Sequence, residues 1–169
     1  MAKAVGRAVR SGSLEPIELN LAARRFVVPL EIEPYSKEYF AKMADDPSPG
    51  RSTNRERALA VLDRYDTMPD HLDVHAAIVR LSDDVHIAFL CGEVTYPIKR
   101  IVQEAFGSKK VIFIGYGDSC AYIPSDQYIK EGGYEADGSV LVFSRKGPFK
   151  PGVDAKMVEM FGANLAALT

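Results

Sequence analysis

The sequence predicts an α/β fold with a mixed sheet, and three observations carry that prediction. First, two short apolar runs, VHIAFL at Val85–Leu90 and VIFIG from Val111, have the length of buried strands. Second, Val94, Ile98, Ile101 and Ala105 recur between them at helical spacing, so the unit is strand, helix, strand. So compact a crossover implies a parallel pair and a right-handed connection. Third, HLDVHAAIVR alternates Leu72, Val74, Ala76 and Ile78 with other residues, which is the period of a strand. With the turn at Ser82-Asp83-Asp84 it makes a hairpin over 73–90 that precedes the parallel unit.

The other elements follow in chain order. Residues 2–9 suit a short helix, marginal alone and in need of something to pack on. Ile17, Leu19 and Leu21 alternate as a strand would. Arg24-Arg25 is expected to interrupt that strand and to present a solvated face, before FVVPLEIE continues extended. Pro29 places this segment at a sheet edge or a bulge. A helical region follows Pro34, with Tyr35, Tyr39, Phe40 and Met43 near one face. DPSPG at 46–50 is a loop, and residues 51–65 form a helix with Ser52 or Asn54 as cap and its arginines outward. Pro97 fits the first turn of the crossover helix, which places Glu93 at that helix's start. A glutamate there complements the helix dipole with or without a ligand. After the second parallel strand comes a loop over 115–124, in which glycines permit positive φ or close backbone approach. A short helix at 124–130 stops at Gly132-Gly133, SVLVF at 139–143 reads as a strand, and 153–168 closes as an amphipathic helix with Val158, Phe161, Leu165 and Leu168 apolar. The 169 residues, 47% hydrophobic, fit a single domain with a real core.

Composition excludes some functions. A net charge of −2 leaves no electrostatic footprint for nucleic acid. No apolar run is long enough for a transmembrane helix, and the basic first ten residues do not read as a secretory signal. Cys91 and Cys120 are read as two reduced thiols rather than a disulfide framework. His71 and His75 are four apart, but on a strand that separation is about 13 Å, too far for one metal ion. His86 reads as a core histidine.

Ligands of open α/β sheets gather at the carboxyl ends of strands. Two such ends occur here, one leading to Glu93 and one opening into GYGDSCAYIP, so both should face one crevice. The order Gly92-Glu93, helix, strand, G-Y-G-D-x-x-x-Y-I-P-S, then Y-x-x-x-G-G-Y-E resembles the neutral (alkaline, non-lysosomal) ceramidase family over about fifty residues. The resemblance covers the carboxyl-terminal part of that family's catalytic domain. It implies a zinc-dependent hydrolase that splits the amide of N-acylsphingosine, or a related lipid amide, into a fatty acid and an amine. Carried over by position, Glu93 and Tyr122 become zinc ligands and Tyr134 a catalytic hydroxyl. Asp118 stands where the family has Asn, and Cys91 where it has the residue before Gly-Glu, a proline in one form of the motif. The family's two zinc histidines have no counterpart, and two oxygen donors are too few for a tight zinc site. The expectation is therefore half a site, inactive as the isolated chain, with an amino-terminal part or a homo-oligomeric partner covering surface the truncation would expose. The alternative is a non-catalytic binding or assembly module on the same fold. Family members are commonly secreted or held at membrane surfaces; the sequence itself leaves the compartment open.

Overall fold

The computed structural model describes residues 2–12, 15–48, 52–118 and 121–168. Four strands form the main sheet, in the order β1-β2-β3-β5: β1 (Ala22–Glu31), β2 (His71–Arg80), β3 (Val85–Leu90) and β5 (Lys110–Ile114). β1, β2 and β3 pair antiparallel, and β3 pairs parallel with β5, Ile87 opposite Ile112 and Phe89 opposite Ile114. The hairpin and the parallel unit are both as the alternation predicts, and the mixed sheet makes the fold α/β. Pro29 lies in β1, an edge strand, where its missing N–H costs no ladder bond.

The two arginines do not break β1, which runs through them without interruption. Alternation places Arg24 in the file of Phe26, Val28 and Leu30, which points at the core. Its long side chain escapes burial and donates from Nε to Asn164 Oδ1 at 2.7 Å, tying the strand to the last helix. Arg25 lies on the other, outer face.

One face of the sheet is covered by α4 (Tyr96–Ala105) and α6 (Val153–Ala166); the short α5 (Asp126–Glu131) lies between them in the chain. Val28, Leu30, Val74, Ile78, Ala88 and Leu90 of the sheet meet Ile98 and Val102 of α4 and Val153, Met157 and Phe161 of α6. Phe161 sits edge-on to Phe26 with ring centroids 5.1 Å apart. The burying stripe of α6 is therefore Val153, Met157 and Phe161, with Asn164 continuing it. Val158, expected among the apolar contacts, is 42% exposed. The outer face of the sheet, with Val27, Ala77, Val79, Ile87, Phe89, Ile112 and Ile114, has no helix over it among the described residues. Ile112 is 53% exposed.

A second, smaller core lies under α2 (Lys37–Ala44) and α3 (Ser52–Arg64), where Phe40, Ala44, Ala58 and Val61 enclose Leu141. Ser36 caps α2, its hydroxyl accepting from the Tyr39 N–H. The segment 139–143 is a run of turns and not the expected strand: Leu141 fills this small core while Val142 points outward. A short apolar run does not distinguish a strand from a buried turn. The first helix, α1 (Ala2–Arg10), leaves Val5 and Val9 exposed. Residues 17–21 are irregular, not a strand. No helix among the described residues is long and apolar enough to cross a membrane.

His86 is a core histidine, 2% exposed, beside the Phe106 ring. Its Nδ1 has no hydrogen-bond partner among the described residues. Burial pushes its pKa below the ordinary value, with Lys109 and Arg80 reinforcing and Asp83 and Asp84 opposing. The folded state thus prefers the neutral ring. Below about pH 6.5 the unfolded chain takes up a proton that the folded chain resists. The stability held above that pH is lost as the pH falls through the folded value. Urea midpoints measured from pH 7.5 to 5 should decline more steeply for the parent than for His86→Leu, which removes the titrating group. Equal slopes would assign the acid sensitivity to other groups.

Candidate functional site

Beyond the main sheet lies a second, two-stranded one. β4 (Glu93–Val94) and β6 (Tyr122–Ile123) pair parallel, with Glu93 opposite Tyr122 and Val94 opposite Ile123. Glu93 is therefore on a strand and not at the helix start, and the helix-dipole account of it does not apply. The α4 cap is Thr95, whose hydroxyl donates to the Ile123 carbonyl at 2.9 Å, and Pro97 lies in the first turn. The Glu93 N–H donates to the Ala121 carbonyl at 2.7 Å, and Gly92 N–H to Asp118 O at 2.7 Å. Val94 and Ile123 pack into the main core, so the ladder is fixed from below.

This register brings the two nominated ligands together. Tyr122 hydrogen-bonds the Glu93 carboxylate, its hydroxyl donating. The bond holds the phenolic proton, and Tyr122's pKa is pushed up to about 12, first by that bond, then by burial and the carboxylate's charge. Tyr134, the nominated catalytic hydroxyl, stands with its ring centroid 5.6 Å from that of Tyr122, edge to face, and Phe143 packs on Tyr122 at 5.8 Å. Tyr134 opens a π-helical turn, Tyr134–Gly138, closed by Gly138 N–H to Gly133 O at 3.0 Å and Ser139 N–H to Tyr134 O at 2.9 Å. Such turns recur at functional sites. Asp118 is exposed near Cys91, and burial followed by the Asp118 charge raises the Cys91 thiol's pKa, so this thiol is not an activated nucleophile. Cys120 lies outside the described residues.

The histidines stay apart from this cluster. His71 and His75 lie on the outer face of β2, and His86 points into the core. Among the described residues no group of three or more His, Cys, Asp and Glu is placed to hold a metal ion.

Sequence reasoning missed Tyr116. It allowed the glycines of this loop positive φ or close backbone approach; of the G-Y-G residues, the one in the left-handed region is the tyrosine, with φ 64°. That conformation costs a non-glycine residue about 1–3 kcal/mol. The flanking glycines serve close approach: a Cβ on Gly115 would lie 3.2 Å from Val94 Cγ2, and one on Gly117 3.1 Å from Cys91 Sγ. The Tyr116 N–H donates to Gly92 O at 2.9 Å, and its side chain is 71% exposed. A glutamate hydrogen-bonded by Tyr122, with Tyr134 packed on Tyr122 and Tyr116 near enough to act on it electrostatically, makes an oxygen-rich, aromatic surface. It can offer a carboxylate to a cation and phenolic hydroxyls to a polar substrate. Comparison with protein-family models, with curated proteins and with solved structures finds no match for the chain.

Proposed function

We propose that the chain is the carboxyl-terminal part of a neutral-ceramidase-like zinc-dependent amide hydrolase, acting on N-acylsphingosine or a related lipid amide. The observation that carries this reading is the placement of Glu93 and Tyr122 at opposed positions of β4 and β6, joined by a hydrogen bond. In this reading they supply two oxygen donors to the metal, and Tyr134 donates a hydrogen bond to the oxyanion that develops on the amide carbonyl. When bound, zinc supplies Lewis acidity and a water of lowered pKa. The chain's own residues fit part of such a site. Tyr122 keeps its proton beside the Glu93 carboxylate, so it ligates as phenolate only when a cation takes over that carboxylate. Two oxygens fall short of the three or four protein ligands that zinc takes, so nitrogen donors must come from an amino-terminal part.

The test is reconstitution with an amino-terminal part of a neutral ceramidase that carries the zinc histidines. Metal analysis and a fluorogenic lipid amide should then give zinc and turnover, and the 169-residue chain alone neither. Glu93→Ala should remove both. Tyr134→Phe should keep the zinc and lower kcat by about a hundredfold. Zinc retained at full stoichiometry by the Glu93→Ala complex would overturn the assignment.

A second reading, a non-catalytic binding or assembly module, is favoured by the apolar outer sheet face. A parallel strand pair such as β3-β5 is ordinarily covered on both faces. Its outer face has Ile87, Phe89, Ile112 and Ile114 in adjacent register, beside a depression of about 390 Å³ that includes Arg25, His75, Phe89 and Cys91. In this reading a second copy or an amino-terminal part covers the face. Light scattering of the chain at high concentration distinguishes an oligomer from a monomer.

A further inference from the structure

We infer that the depression on the outer face of the sheet binds a small organic carboxylate with an apolar body, the carboxylate on Arg25 and the body against Phe89. This goes beyond the hydrolase reading and uses none of its residues. The site follows from the strand register. Arg25 on β1 lies opposite Ala77 on β2, Ala77 opposite Phe89 on β3, and Phe89 opposite Ile114 on β5. The row therefore runs from a cation through an alanine to two large apolar residues. The alanine is the low point: its methyl lies between a guanidinium side chain and a phenyl ring rooted two strand spacings apart, about 10 Å. His75, opposite Val27, is the diagonal neighbour of Arg25, and Cys91 N–H donates to His75 O at 2.9 Å. Arg25, His75, Ala77, Phe89 and Cys91 line a depression of about 390 Å³, at the small end for a small-molecule site. The next row, Ala23, Val79, Ile87 and Ile112, is apolar throughout.

The charge on this face is one-sided. Arg25 is exposed, and neither it nor the His75 side chain makes a hydrogen bond or ion pair among the described residues. Its neighbour Arg24, by contrast, is engaged with Asn164. A guanidinium matches a carboxylate through two parallel, charge-assisted N–H···O bonds. The His75 ring has an N–H to donate in either protonation state. Two acids lie near. Asp73, two residues before His75 on the same face, lies 3.7 Å from the His71 ring, and Asp118 acts on Cys91, two strands away from Arg25. The patch is thus cationic on β1 and apolar toward β5, which complements an amphiphilic anion. A neutral ligand of the same shape would leave the guanidinium without a carboxylate, and an amine would be repelled by it. A carboxylate without a body would leave Phe89 and Ile87 in water. In this inference the face is open to a small molecule and not sealed by a second copy.

Calorimetric titration of the full chain with hydrocinnamate at pH 7 tests this. Saturable binding is expected, with hydrocinnamyl alcohol, phenylpropylammonium and acetate each at least about tenfold weaker. Arg25→Gln should weaken hydrocinnamate binding by about tenfold and erase the preference over the alcohol. Ala77→Leu should remove binding by filling the low point, with a urea midpoint close to the parent's because that side chain faces outward. No saturable binding by the parent, whether monomer or oligomer, equal binding of the alcohol, or unchanged affinity in either variant would each overturn the inference. These arms leave Glu93, Tyr122 and Tyr134 untouched, so the hydrolase reading stands or falls on its own metal analysis.

Discussion

Gly147→Ala should leave little folded protein. A Cβ at this position would lie 1.9 Å from the carbonyl oxygen of Glu33, 2.7 Å from its carbonyl carbon and 3.0 Å from Pro34 Cα. All three are backbone atoms, and no side-chain rotation relieves the overlap. Nor can the two segments part easily. Glu33 N–H donates to Pro148 O at 2.8 Å and Tyr35 N–H to Lys146 O at 2.8 Å, one on each side of the contact. Lys150 N–H donates to Glu31 O at 2.9 Å just beyond. The neighbouring side chains anchor the same segment: Lys146 Nζ reaches Met68 O at 2.7 Å and pairs with Asp70, and Arg145 lies 4.5 Å over the Phe149 ring. Separating the segments breaks the seam between the small helical core and β1. A cost of about 4–5 kcal/mol or more is expected, against a total stability of about 5–15 kcal/mol for ordinary domains. Gly162→Ala is the control. It lies in α6 with nothing within 4 Å of the added methyl, and it should stabilise by about 0.5–1 kcal/mol through helix propensity. Soluble yield and urea unfolding followed by circular dichroism compare the two. A Gly147→Ala midpoint equal to that of the parent would show that the two backbones do not approach so closely.

The parts of the fold legible in the sequence were those in which a period repeats. Leu72, Val74, Ala76 and Ile78 announce β2 because one face is buried and the other is not, and the crossover helix follows from Ile98, Ile101 and Ala105. Pro29 points to a sheet edge or a bulge, where a missing donor is harmless, and β1 is an edge strand. What escaped were elements too short to have a period. β4 and β6 hold two residues each, and Val94 falls by coincidence in step with the apolar face of α4. Extending that face backwards put Glu93 on a helix, although Thr95 is the cap. The juxtaposition of Glu93 and Tyr122 was nonetheless accessible, because it depends on two strand ends meeting and not on the identity of the short elements. Tyr116 was hidden for a different reason. A tyrosine between two glycines invites the assignment of positive φ to a glycine, and only the hydrogen bond to Gly92 shows which residue turns.

Gly92→Ala should destabilise the fold and, unlike Gly147→Ala, should also take the site apart before the chain unfolds. Gly92 has φ 94°, a value costly for any residue with a Cβ. An added Cβ would lie 2.9 Å from the Ala121 carbonyl oxygen and 2.9 Å from Ile123 Cγ1. The first of these atoms accepts the 2.7 Å hydrogen bond from Glu93 N–H, and the second belongs to the strand that pairs with β4. Relief of the clash therefore moves β6 away from β4, and with it Tyr122 from Glu93. Gly92 also holds both arms of the surrounding loop, donating to Asp118 O at 2.7 Å and accepting from Tyr116 N–H at 2.9 Å. Strain at positive φ and the loss of one or two backbone hydrogen bonds together cost about 3 kcal/mol, or roughly 6–12 °C in Tm for a chain of this size. The Tyr122 phenol reports on the site independently of global stability. Its pKa, raised to about 12 chiefly by the hydrogen bond to Glu93, should fall back toward the ordinary value near 10 when the strands separate. Titration followed by the phenolate absorbance, read as a difference from Tyr122→Phe in the same background, isolates that one group among the eight tyrosines. A Gly92→Ala protein that is less stable yet keeps the high Tyr122 value would mean that the loop absorbs the methyl without parting the strands, and that the Glu93–Tyr122 pair does not depend on glycine at 92.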